Sequence, residues 1–233
     1  MPARTVCPPY PRRPVTHYTA DQLARFPWIA SVDTLKTEDL LVKFWSVAED
    51  LAARSNRPYL LNADTVTSLQ RLVGEDSSAD DWDDDDAART LEDLTEALND
   101  AAPVGFHFGS QDGDGACFGF WLSEDWAEAL EHCGIAGDSD PEAVAAIVAE
   151  LDALGVTSAN TEDLFQGEAS GYTEAEAGAD YAQQFAEDIG AWDGKATWPH
   201  SCIDWADAWG ELQADGWSLV RWSHARWLVF RFC

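Results

Sequence analysis

The clearest periodic stretch of the chain runs over residues 37–53. Apolar residues recur there at three- and four-residue spacing, so that Leu40, Leu41, Phe44, Val47, Ala48 and Leu51 share one face, which predicts an amphipathic helix. A shorter helical pattern begins at Thr19, with Asp21 as a candidate cap and Leu23, Phe26 and Trp28 as apolar anchors, before Pro27 disturbs the run. Residues 64–73 predict another short helix. Residues 87–99 predict a fourth, buried along Leu91, Leu94 and Leu98.

The period then shortens to two. Residues 103–122 (PVGFHFGSQDGDGACFGFWL) hold two alternating aromatic runs around a Gly/Asp turn, which predicts a β-hairpin. Ser123, Glu124 and Asp125 open a helix through Cys133, with Trp126, Ala129 and Leu130 inward. Asp140-Pro141-Glu142 places an N-cap before a first-turn proline and starts a helix reaching Leu154. Residues 155–173 read as loop. Residues 174–189 predict a helix that buries Tyr181, Phe185 and Ile189 and stops at Gly190. After an irregular stretch over 192–202, a helix over 203–213 precedes strands at 217–222 and 226–232, which the short link between them pairs as a hairpin.

The expected class is α+β: small modules of helices packed on short antiparallel hairpins, with a mostly helical N-terminal segment. The expected divisions are a flexible arm over 1–16, a helical module over 17–74, and an acidic linker and helix over 75–102. An acidic α+β module over 103–173 and an α+β C-terminal module over 174–233 complete the chain.

Charge changes this picture. Residues 75–193 carry 32 Asp and Glu against one basic residue, Arg89, whereas the segments on either side are near neutral. Nearly the whole formal charge of −29 therefore sits in one contiguous block. Self-repulsion on this scale opposes compaction. B-DNA carries one charge per about 1.7 Å, so the block matches roughly 50 Å of duplex, or about 15 base pairs. The candidate phosphate-mimicking carboxylates are Asp83, Asp84, Asp85 and Asp86, then Glu92, Asp93, Glu96 and Asp100, then Glu124, Asp125, Glu128 and Glu131. Glu92, Glu96 and Asp100 repeat every fourth residue, about 6 Å apart along a helix axis. Such like-charge pairs cost a few tenths of a kcal/mol each, and no Lys relieves them. The run GEDSSADDWDDDD reads equally as a solvated linker, although Trp82 among its aspartates argues for more.

Composition narrows the function classes. A hydrophobic content of 46%, with 12 Trp and 10 Phe, argues for a folded protein under a charged skin. Five cysteines without a CxxC pair fit a reducing compartment, and the arginine- and proline-rich start lacks a secretory apolar core. No apolar run is long enough to span a membrane. The expectation is a cytoplasmic protein of a bacterial cell that repels nucleic acid and takes a basic protein as partner. Asp112-Gly113-Asp114-Gly115 resembles the start of a calcium loop, but its sixth and twelfth positions are Cys117 and Ser123, so a hairpin turn is the better reading. His107, Cys117, His132 and Cys133 lack the paired spacing of a zinc site. No nucleophile elbow or phosphate loop occurs. No metal, cofactor or catalytic residue is expected. The tryptophans lack the basic groove of a single-strand stacking platform. Six of the 12 lie in residues 194–233, a segment of zero net charge. Trp217, Trp222 and Trp227 are thus candidates for a homodimer contact, the alternative being that they fill a small core.

The C-terminal part resembles ArdA-type antirestriction proteins. The likeness lies in Tyr181-Ala-Gln-Gln-Phe185-Ala-Glu187-Asp188-Ile189-Gly190, in Cys202-Ile203-Asp204-Trp205 opening a helix, and in Trp217 and the closing Leu228-Val229-Phe230-Arg231. It covers about residues 174–231. It implies an acidic, generally dimeric protein of small α/β modules that imitates duplex DNA to occupy restriction–modification complexes. The helical N-terminal segment departs from that pattern, and the family's internal antirestriction motif does not align.

Three expectations follow. The first is a DNA-mimic inhibitor of a bacterial defence complex. The second is an immunity-type module that binds one basic partner through a compact patch without duplex mimicry. The third is a halophile enzyme, which the scarcity of Lys favours and the confinement of charge to one block opposes.

Overall fold

The computed structural model describes residues 18–54, 60–74, 85–136, 139–194 and 202–232. The chain divides into two compact units, residues 1–123 and 124–233.

In the first unit, helix α1 (Ala20–Leu23) is followed by strand β1 (Ile29–Ser31), then helices α2 (Thr37–Arg54), α3 (Ala63–Val73) and α4 (Asp85–Asp100), and strands β2 (Phe106–Gln111) and β3 (Asp114–Leu122). The cap of α1 is Thr19, not Asp21. Its hydroxyl accepts from the Gln22 amide while the Gln22 side chain accepts from the Thr19 amide, closing a capping box. On α2 the six predicted inward residues are all buried. Phe44 from that face meets Phe108 and Phe118, with ring centroids 4.9 and 5.4 Å apart.

The three strands form one antiparallel sheet in the order β1-β3-β2. The hairpin over 103–122 is present, but β1 was not legible in the sequence. It is three residues long and owes its conformation to β3. Gly119 permits that approach, because a Cβ there would lie 2.4 Å from the Trp28 carbonyl oxygen, which accepts the Phe120 amide at 2.8 Å. The helices over 17–74 are therefore no module of their own. β1 pairs with β3, α2 and α3 pack on α4, and Tyr18 donates its hydroxyl to the Ala101 carbonyl at 2.6 Å.

The second unit contains α5 (Glu124–His132), α6 (Pro141–Ala153), α7 (Thr161–Leu164), β4 (Phe165–Ser170), α8 (Glu174–Asp188), α9 (Trp205–Ala214), β5 (Trp217–Arg221) and β6 (Arg226–Arg231). Its sheet has the order β4-β6-β5 and is antiparallel throughout. The C-terminal hairpin is present, and the segment read as loop supplies a short helix and the third strand. The sequence of β4, FQGEAS, lacks clean alternation because its register shifts at Gly167, where φ is 139°.

Helices α8 and α9 pack together, and the core of this unit gathers Ala177, Tyr181, Trp209, Trp217, Trp227 and Val229. Gly178 makes that closeness possible, since a Cβ there would stand 2.3 Å from the Trp209 ring. Ile189, expected in the core, is 61% exposed, because α8 ends at Asp188 and the chain turns away through Gly190 at φ 71°. The two units together make an α+β protein. No described helix is long and apolar enough to cross a membrane.

Candidate functional site

Helix α4 sets the orientation of the first acidic row. Ala87, Thr90, Leu94 and Leu98 are buried on its inner face, which leaves Glu92, Glu96 and Asp100 exposed on the outer one. Leu91, expected in the buried stripe, is only half-buried and lies at the flank. The other acids of the helix have different surroundings. Asp93 accepts the Thr65 hydroxyl of α3 at 2.8 Å, and Thr65 is 3% exposed, so this carboxylate holds α3 against α4. Asp86 is held by Arg71 at 3.1 Å and lies 3.7 Å from Arg89, so both neighbouring cations are drawn towards the start of the helix. Asp85 is exposed, while Asp83 and Asp84 fall outside the described residues.

The outer flank of α4 borders a cleft of about 720 Å³ lined by Thr37, Ala88, Leu91, Glu92, Thr95, Glu96, Asn99, His107 and Phe108. Two side-chain interactions define it. The side-chain Oδ1 of Asn99 accepts the Phe108 amide of β2 at 3.0 Å, fixing the end of α4 along that edge strand. Phe108 is immobilised in turn by Phe44 and Phe120, with centroids 4.9 and 5.0 Å away. The result is an apolar floor of Ala88, Leu91 and Phe108 beside two carboxylates. Each acid was visible in the sequence. The cleft was not, since it exists only where α4 runs beside β2.

In the second unit, Trp126, Ala129 and Leu130 of α5 face the core. Glu124, Asp125, Glu128 and Glu131 are all exposed on the outer side. They form a second acidic row built on the same principle.

Two of the three proposed self-association residues are corrected. Trp217 and Trp227 are 4% and 8% exposed and belong to the core. Arg231 lies over the Trp217 ring at 5.2 Å, Arg221 over the Trp227 ring at 5.5 Å, and the Trp227 indole donates to the Gly171 carbonyl at 2.9 Å. These rings are apolar enough to drive association, but the sheet and α8–α9 have already taken them from water. Trp222 is half-buried.

The chemistry of the buried groups is quiet. Burial, with Glu168 adding to it, pushes the Cys133 thiol up to about 12, so it is a poor nucleophile. Glu168 itself is held by Arg226 at 2.5 Å. Burial and the nearby Asp188 carboxylate raise the Tyr181 phenol to about 12, against an opposing pull from Arg231. Among the described residues, no group of three or more His, Cys, Asp or Glu is placed to hold a metal ion.

No protein-family model matches the chain, and no curated protein or solved structure shows a significant match to it.

Proposed function

We propose that the protein is an acidic DNA-mimic inhibitor of a bacterial defence complex, of the restriction–modification kind, acting by occupying the complex's DNA-binding groove. One observation carries this reading. Among the described residues of the acidic block, Glu92, Glu96 and Asp100 on α4 and Glu124, Asp125, Glu128 and Glu131 on α5 stand as like-charge groups on helix faces turned to solvent, and Arg89, the block's one Lys or Arg, lies near Asp86 rather than among them. A helix that needs only solubility gains stability by mixing signs at four-residue spacing, and α4 forgoes that gain along Glu92, Glu96 and Asp100. A surface of this kind attracts a protein groove built for phosphates, whereas nucleic acid itself is repelled. The partner is a basic DNA-binding protein or complex. The inhibitor needs no cofactor and no catalytic group, because occupancy alone blocks the groove. The resemblance of residues 174–231 to ArdA-type proteins points the same way.

The test uses the full chain, a purified restriction–modification complex and its duplex substrate. Cleavage should fall as the protein is added, recover with excess non-specific duplex, and recover again as salt rises, since ionic contacts dominate. Inhibition that neither DNA nor salt relieves would overturn mimicry. A captured partner that duplex DNA does not displace would favour the compact-patch alternative.

A further inference from the structure

From the cleft beside α4 we infer a specific anchor site for a protein partner: it takes a segment in which an apolar side chain is flanked by Lys or Arg. The lining makes two demands at once. Ala88 and the half-buried Leu91 present an apolar floor, and the buried Phe108, clamped by Phe44 and Phe120, closes it rigidly from below. Glu92 and Glu96 stand one helical turn apart on the wall, about 6 Å along the axis. A small solvated cation has no use for the floor. A purely apolar segment would strip water from two carboxylates and offer nothing in return. A segment that puts a Leu-like side chain on the floor and a Lys or Arg against each Glu satisfies both, the basic side chains laying their own methylenes along the apolar surface.

The volume of about 720 Å³ lies within the range of sites that take a drug-sized group. Strand addition along β2 is blocked at this point, because Asn99 has taken the outward amide of Phe108. Contact is therefore made through side chains. The inference rests on reading the outer face of α4 as a surface for a basic protein, but not on duplex mimicry. It adds what mimicry lacks, a contact that survives salt and selects one partner among the many basic ones.

The experiment measures fluorescence anisotropy of two labelled peptides of identical Leu, Lys and Arg composition, added to the full-length protein. In one peptide the Leu and basic residues recur at helical spacing; in the other the order is scrambled. The patterned peptide should bind about tenfold more tightly or better, the preference expected from burying one Leu-sized side chain. That ratio should persist as salt rises, while both affinities fall. Ala88→Trp, which fills the cleft without changing charge, should remove the ratio. Leu91→Ala, which shrinks the floor, should reduce it and serves if the larger residue perturbs the helix. Equal binding of the two peptides, or a ratio unchanged in both folded variants, overturns the site. A lost ratio with DNA-relieved inhibition intact leaves mimicry standing alone. A preserved ratio with no DNA-relieved inhibition leaves the anchor site standing alone.

Discussion

The hydroxyl of Thr65 donates to the carboxylate of Asp93 at 2.8 Å, linking α3 to α4 from a position 3% exposed. This bond separates Asp93 from its neighbours Glu92 and Glu96, which are exposed on the same helix. Asp93 of the acidic helix serves the fold, whereas Glu92 and Glu96 face outward. Thr65→Val should cost about 1 kcal/mol, the usual net worth of such a bond, and lower the melting temperature by a few degrees. Inhibition per folded molecule should not change. A stability equal to that of the parent in urea titration would show that the bond contributes nothing.

Reversal of Glu92, Glu96 and Asp100 together to Lys should leave the protein folded and no less stable. The three Lys repel one another as the acids did, but they sit in the field of the acids that remain in the block, and a cation in the last turn suits the helix dipole. Partner affinity should fall by an order of magnitude or more, while any single change to Ala should matter little because the field is distributed. Circular dichroism and binding measured on the same sample separate the two effects. A variant that unfolds while its folded fraction inhibits as before would make the row structural.

Gly178→Ala tests the closeness of α8 and α9. The new methyl would meet the Trp209 ring at 2.3 Å, far inside contact distance, and both elements are built into the core of the second unit. Overpacking of this kind costs about 1–3 kcal/mol. The urea midpoint should drop accordingly, with the loss confined to the transition that reports tryptophan burial.

Thiol labelling should sort the described cysteines by environment. Cys202 is exposed, whereas Cys117 and Cys133 are buried. With its thiol pushed up to about 12, Cys133 is thiolate in about one molecule in ten thousand at pH 8, beyond its steric protection. Mass spectrometry after a short alkylation at pH 8 should find Cys202 modified, and Cys117 and Cys133 modified only after denaturation.

Alkaline pH should unfold the second unit partly through Tyr181. Its phenol is raised from 10.0 to about 12, so the folded state holds the proton that the unfolded chain releases first. This contribution to stability is complete below pH 10 and is lost as the pH rises towards 12. Tyr181→Phe should flatten the fall of the urea midpoint across that window. An unchanged slope would assign alkaline unfolding to other groups, Cys133 first among them.

Much of the fold was written locally. The helix over 37–53, the acidic helix after residue 87, the Asp140-Pro141 start and both hairpins depend on periodicity, caps and turns, and each formed where these signals stand. Local patterning also placed Glu92, Glu96 and Asp100 of α4 and the four acids of α5 on the outward side, because the apolar stripes decide which side is buried.

What the tertiary structure alone decided involves partners far apart in the chain. Strands β1 and β4 are short and weakly patterned, and they exist because β3 and β6 offer them an edge. Asp93 became a structural residue only when Thr65 arrived beside it, 28 positions away. In a segment without net charge, Trp217 and Trp227 read either as contacts for a second copy or as the filling of a small core. Burial by α8 and α9 made them core, since a tryptophan leaves water for whichever apolar surface reaches it first. The cleft belongs to the same class, because its floor and wall come from α4 and β2 and meet through the Asn99–Phe108 hydrogen bond. Periodicity tells which side of an element seeks burial; only the packed chain settles which neighbour supplies it.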